Sequence, residues 1–292
     1  MSPDWPTESL MAFPSDGRRA QPGDQADGLR RLFSTRTVRF IPVVSNPFVA
    51  QEGVLIRQIC AALDQLGLYT LLVDVCDAPR HGLRDTPRHK ADLLGQGLDL
   101  ADRIQVLTDR TASLSARGLP ARWSDVSGST QAFLQALIDA APLSQAVVVH
   151  GSASELARMF GRGELQLSRP RPIVLCDEQP DSMTHAYAAL KVLSQRVDWL
   201  SHDLLVSAVA GSAGIRLVKD RLAQCAALFF GGVRHDSVDI DPRSLVLPAM
   251  ASASLMAFME ASMAAAAAFV LPEMGRRGPA LVTSSPLLQP MV

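Results

Sequence analysis

From Val38 to Cys76 the sequence runs through a strand, a loop, a helix and a second strand without interruption, and this run constrains the fold more than any other stretch. Val38-Arg39-Phe40-Ile41-Pro42-Val43-Val44 is rich in β-branched residues and stops at the turn cluster Ser45-Asn46-Pro47, the pattern of a buried strand and its exit loop. Between Gln51 and Leu66 the apolar positions Val54, Leu55, Ile59, Ala62, Leu63 and Leu66 recur every three or four residues. Gly67 stands just beyond them, which predicts a helix with a glycine stop. Tyr69-Thr70-Leu71-Leu72-Val73-Asp74 is almost continuously apolar, as expected of a strand covered on both faces, and it ends on a carboxylate. Strand, helix and strand in this order make a βαβ unit. The expected fold class is therefore α/β, in three layers, with a mostly parallel sheet flanked by helices.

In such a sheet a ligand is expected at the loop after the first strand, where the next helix aims unpaired amides and the positive end of its dipole. A phosphate cradle there needs glycines for the backbone to wrap the oxyanions, a lysine against the charge, and a Ser or Thr for magnesium. Ser45-Asn46-Pro47-Phe48-Val49-Ala50-Gln51-Glu52-Gly53 offers one glycine, no lysine and an acidic residue.

The helix, its leucine-glycine end and the strand ending Leu71-Leu72-Val73-Asp74 resemble the start of the MinD/ParA-type ATPases, whose deviant phosphate loop reads SGKGGVGKTT. Laid over this chain without a gap, the resemblance puts the family's two lysines on Pro47 and Glu52 and its magnesium-binding Thr on Gly53. Asp74 stands where the family has an aspartate near the attacking water; the second aspartate falls on Cys76, with Asp77 beside it. Ala146-Val147-Val148-Val149 matches the Walker B strand, and its terminal aspartate is replaced by His150. No carboxylate adjoins His150 in the sequence, so it is read as closing a strand end rather than ligating a metal. Leu204 to Val209 matches the strand whose asparagine reads adenine, with Ser207 in that place; a hydroxyl lacks the paired donor and acceptor of an amide. The resemblance thus implies an ATP and magnesium site that has degenerated. No catalytic residue, metal ligand or bound cofactor is expected.

Asp24-Gln25-Ala26-Asp27-Gly28-Leu29-Arg30 resembles the N-terminal DQAxxLR motif of the FlhG (FleN) branch of the same family. Its residues predict a short helix capped by Asp24, with Leu29, Leu32 and Phe33 in a small apolar stripe, which at this length would need a docking surface. The resemblance implies that the motif docks on FlhF, a flagellar GTPase of the signal-recognition-particle type, and stimulates it. Gln25 would reach towards the partner's GTP, Arg30 would make polar contact, and Ala26 and Leu29 would pack. A second match lies at Pro180, Ser182, Thr184, Ala186, Tyr187, Ala188, Lys191, Val192 and Leu193, where Asp181 or Ser182 is expected to cap a helix. A flagellar C-ring component is the other partner implied.

The remaining chain bounds this reading. With 292 residues, 48% of them hydrophobic, the chain can bury a substantial core, and a net charge of −1 argues against direct binding of nucleic acid. Cys60, Cys76, Cys176 and Cys225 form no CxxC pair and are expected as reduced core thiols of a cytoplasmic protein. The expected organisation is a loose tail over 1–23, the partner-binding helix over 24–33, the α/β domain over 38–242, an apolar amphipathic helix over 248–272, and a second tail over 273–292. The apolar helix carries one charge, Glu260, and is expected to dock on the core or on a partner, with contact at the inner membrane face through 249–271 and a membrane span as the other readings. The functional expectation is a flagellar regulator that activates FlhF from a degenerate ATPase scaffold. The alternatives are an active ATP-dependent ATPase with a rearranged site, and a scaffold for another envelope system such as cellulose export.

Overall fold

The computed structural model describes residues 35–76, 99–161, 170–209, 211–241, 243 and 250–272. The chain divides into residues 37–271, which form the sheet and its helices, and the terminal stretches 1–36 and 272–292, of which only Thr35, Arg36 and Pro272 are described. The expected helix over 24–33, with Asp24, Gln25, Ala26, Leu29 and Arg30, lies outside the described residues, as do Asp77 and both tails.

The βαβ run forms as its pattern predicts: β1 (Thr35–Val44), α1 (Glu52–Gln65) and β2 (Thr70–Asp74). Gly67 follows α1 with a φ of 79°, the left-handed conformation that a helix stop asks of glycine. Then come β3 (Gln105–Val106), β4 (Thr111–Ser115), α2 (Leu119–Arg122), α3 (Gln131–Ala140), β5 (Ala146–Gly151), α4 (Ala153–Phe160), β6 (Ile173–Asp177), α5 (Pro180–Val197), β7 (Ser201–Ser207), α6 (Ala213–Phe230), β8 (Val233–Ile240), α7 (Ala253–Ala265) and β9 (Ala267–Pro272). The strand order is β3-β4-β2-β5-β1-β6-β7-β8, with β9 joined to β1. β4, β2, β5, β1, β6, β7 and β8 run parallel to one another in that order, and β3 pairs antiparallel with β4.

Alternation along the strands feeds two cores. Val38, Phe40 and Val44 of β1, with Val147 and Val149 of β5, pack with Phe133 and Leu137 of α3, Leu156 of α4, Leu193 of α5 and Val218 of α6. Ile41 and Val43, with Val148 and Leu175, pack on the other face with Leu55, Ile59 and Leu63 of α1 and Leu255, Phe258, Met259 and Met263 of α7. This is the expected three-layer arrangement.

The apolar C-terminal segment departs from the single helix expected over 248–272. α7 begins after Ser252, whose Oγ accepts from the Leu255 amide at 3.2 Å, and it ends at Ala265. The chain then extends as β9 beside β1, and Phe269 packs against Phe40, the rings tilted and their centroids 4.7 Å apart. Pairing with a central strand and an aromatic contact in the core outweigh the helix preference of the alanines. The apolar stripe of α7 is buried against α1 and β8, in keeping with docking on the core. Among the described residues no helix is long and apolar enough to cross a membrane.

Candidate functional site

Because β2, β5, β1, β6 and β7 are parallel, their carboxyl ends share one edge of the sheet, and the register sets which side chains meet there. Asp74 is paired in register with His150, and Asp177 with Ser207.

The β1–α1 loop begins with the Ser45 amide donating to the Gly151 carbonyl at 2.8 Å, which ties it to the end of β5. Asn46 is buried, and its Nδ2 donates to the Leu175 carbonyl at 2.9 Å, the Ser182 carbonyl at 2.9 Å and Ser182 Oγ at 3.0 Å. Its Oδ1 accepts from the Phe48 amide at 3.2 Å and its carbonyl from the Val49 amide at 3.0 Å. Gln51, with a φ of 59°, turns the chain into α1, and its carbonyl accepts from the Val54 amide at 2.8 Å. Glu52 then reaches back: its Oε1 accepts from the Asn46 amide at 2.7 Å and lies 3.2 Å from His150 Nε2. At 5% exposure it belongs to the interior.

A carboxylate of the chain itself therefore sits in the loop whose amides, in a phosphate cradle, would hold an oxyanion. Pro47 is exposed on the loop and Gly53 is buried in the first turn of α1, so neither offers a lysine amine or a hydroxyl. ATP with magnesium does not fit these residues. A triphosphate would have to displace Glu52 and meet its charge, and no cation of the loop would compensate.

His150 overturns one expectation. It does not close a strand end without acidic company. Fully buried, it lies between two carboxylates, with Nε2 facing Glu52 and Nδ1 3.4 Å from Asp74 Oδ1. Cys76 Sγ is 3.9 Å from the same Nδ1, and the Cys76 amide donates to Asp74 Oδ1 at 3.2 Å. Arg117, just after β4, approaches Asp74 Oδ2 at 3.4 Å. Burial pushes the Asp74 carboxyl up, but the His150 hydrogen bond and charge, the Cys76 amide and Arg117 together outweigh it and hold the group below the ordinary carboxylate value. Asp74, Cys76 and His150 present three ligand atoms within 4.8 Å of one another, all buried.

The sequence reading did not find Glu52 as a neighbour of His150 or Arg117 as a neighbour of Asp74, because the pairs lie 98 and 43 residues apart and meet only through the fold. Parallel register was the available signal, since Asp74 and His150 end strands that the crossover places side by side.

On the far side of β1 the polar groups are also occupied. Neither Asp181 nor Ser182 caps α5. The N-cap is Gln179, Pro180 takes the first turn, and Ser182 Oγ faces inward to accept from the Asp177 amide at 3.0 Å. Ser207 is buried at the end of β7. Glu178 accepts from the hydroxyl of Ser212, the N-cap of α6, so the start of that helix is closed by the chain itself.

No model of a protein family matches the sequence, and no curated protein matches it. Solved structures do. The MinD cell division protein of Aquifex aeolicus has 12% identity and a TM-score of 0.50, covering 78% of this chain and 97% of that one. The MinC:MinD cell division protein complex of the same organism gives 12% identity and a TM-score of 0.53, covering 78% and 96%. At this identity the likeness shows the fold alone: a mostly parallel α/β sheet flanked by helices, as in the MinD/ParA-type P-loop NTPases.

Proposed function

We propose that this protein is a regulatory binding protein built on an ATPase fold, working without nucleotide, and that its output is stimulation of an FlhF-type flagellar GTPase through Asp24-Gln25-Ala26-Asp27-Gly28-Leu29-Arg30. The observation that carries the nucleotide-independent part is Glu52, whose carboxylate takes the Asn46 amide and His150 inside the loop where a triphosphate would lie. The partner rests on the N-terminal motif and its resemblance to the FlhG branch. Gln25 orients the attacking water or polarises the partner's site in trans, a positioning role suited to phosphoryl transfer. Arg30 makes polar contact, and Ala26 and Leu29 pack. A flagellar C-ring component is the second partner of this reading.

The test is the GTPase rate of FlhF from the same organism, measured with this protein, with its Gln25→Ala variant, and with and without ATP. Stimulation that requires Gln25 and ignores ATP is expected. No stimulation under any condition would remove the flagellar reading, and stimulation only with ATP would remove the nucleotide-independent one.

A further inference from the structure

The cluster behind Glu52 has a chemistry of its own. β2 and β5 place Asp74 beside His150, and the chain after β2 turns so that the Cys76 thiol faces the same imidazole nitrogen. A tetrahedral zinc-type ion takes nitrogen and carboxylate oxygen at about 2.0 Å and thiolate sulfur at about 2.3 Å, so its donor atoms stand about 3.3–3.6 Å apart. The observed separations are 3.4 Å from His150 Nδ1 to Asp74 Oδ1 and 3.9 Å from Nδ1 to Cys76 Sγ, and all three donor atoms lie within 4.8 Å of one another, so side-chain adjustment would bring them onto one ion.

We propose that Asp74, Cys76 and His150 bind one divalent transition-metal ion of zinc's class, with Glu52 as the carboxylate that orients the imidazole. The outer contacts suit this assignment. Glu52 Oε1 lies 3.2 Å from Nε2 and holds the imidazole proton there, so that Nδ1, which faces Asp74, releases its proton to solvent as the ion takes its lone pair. Thiolate and carboxylate neutralise the two positive charges of the ion, while Glu52 and Arg117 offset each other in the surrounding shell. Imidazole and thiolate donors reject magnesium, which asks for oxygen ligands, so this is no remnant of a nucleotide-magnesium site. Three protein donors leave a fourth position for water, reached past the Asp74 side chain, which is 12% exposed. The ion would tie β2 to β5 and, through Glu52, to the start of α1. The assignment is independent of the partner reading above.

The experiment is titration of the untagged, metal-stripped full-length protein with cobalt(II), followed by absorbance, with zinc as competitor. One equivalent should produce the visible bands of tetrahedral cobalt and a thiolate-to-cobalt charge-transfer band, both abolished by zinc. Cys76→Ser should remove the charge-transfer band and Cys225→Ser should leave it unchanged. Glu52→Gln, which keeps an acceptor oxygen, should weaken binding roughly 10–100-fold. Absence of the bands in protein folded by circular dichroism would overturn the proposal. A charge-transfer band that survives Cys76→Ser would overturn it as well, because the ion would then sit on other thiols.

Discussion

Glu52 is a buried acid with partners on two sides, the Asn46 amide and the His150 ring. Removing its carboxylate takes this acceptor away from the Asn46 amide and from His150 Nε2 in the interior, which costs more than the net worth of either contact. Glu52→Ala should therefore lose about 3 kcal/mol or more of stability by urea denaturation, and Glu52→Gln distinctly less. A loss below about 1 kcal/mol in the alanine variant would mean that water replaces the contacts. His202 on β7 is the opposite case: it is buried, and neither ring nitrogen has a hydrogen-bond partner among the described residues. Burial, assisted by Arg234, lowers its pKa from 6.5 to about 4. Between those values the unfolded chain takes up a proton that the folded protein refuses, so stability falls as the pH drops through this window and is flat above it. The loss should approach about 3 kcal/mol across the window, and His202→Leu should flatten that part of the profile. At this scale the sequence shows which residues a phosphate would dislike. It does not show that Glu52 folds back onto a histidine 98 residues later, since that contact exists only once β5 lies between β1 and β2.

Elements with a clear apolar period are legible in the sequence: β1, α1 and β2 stand close to where the pattern places them. β4 is not, because Thr111-Ala112-Ser113-Leu114-Ser115 is short and small, and its strand character comes from pairing with β2. α4 carried a signal that went unread. Ser152 and Glu155 stand at capping-box spacing, and Ser152 Oγ accepts the Glu155 amide at 3.3 Å. α7 shows the limit of reading by composition. Its alanine-rich run suits several environments, and what decides between them is that Phe258 and Met259 fill the space over α1 and β8. Phe258→Ala should thus cost about 3–5 kcal/mol in denaturant unfolding, as a core aromatic does. A residue that served only a membrane surface would leave the midpoint unmoved.

For the molecule as a whole, layer order and sheet direction followed from one βαβ unit, whereas the state of the strand ends required all five central strands to be in place. Magnesium-ATP should not raise the melting temperature or promote dimers in size-exclusion chromatography with light scattering. The measurement is decisive because a ligand at a hundred times its dissociation constant adds about 2.7 kcal/mol. A clear upward shift would revive the ATPase alternative. The inward turn of Glu52 then has a consequence for control. A switch protein reports the ratio of two occupied states, and its output can change while its amount stays constant. On the function proposed above, a loop that supplies its own anion would have one state, reached when the chain folds, and the response of a partner would scale with the number of copies present. Synthesis and degradation would then set the output, with dose as the signal.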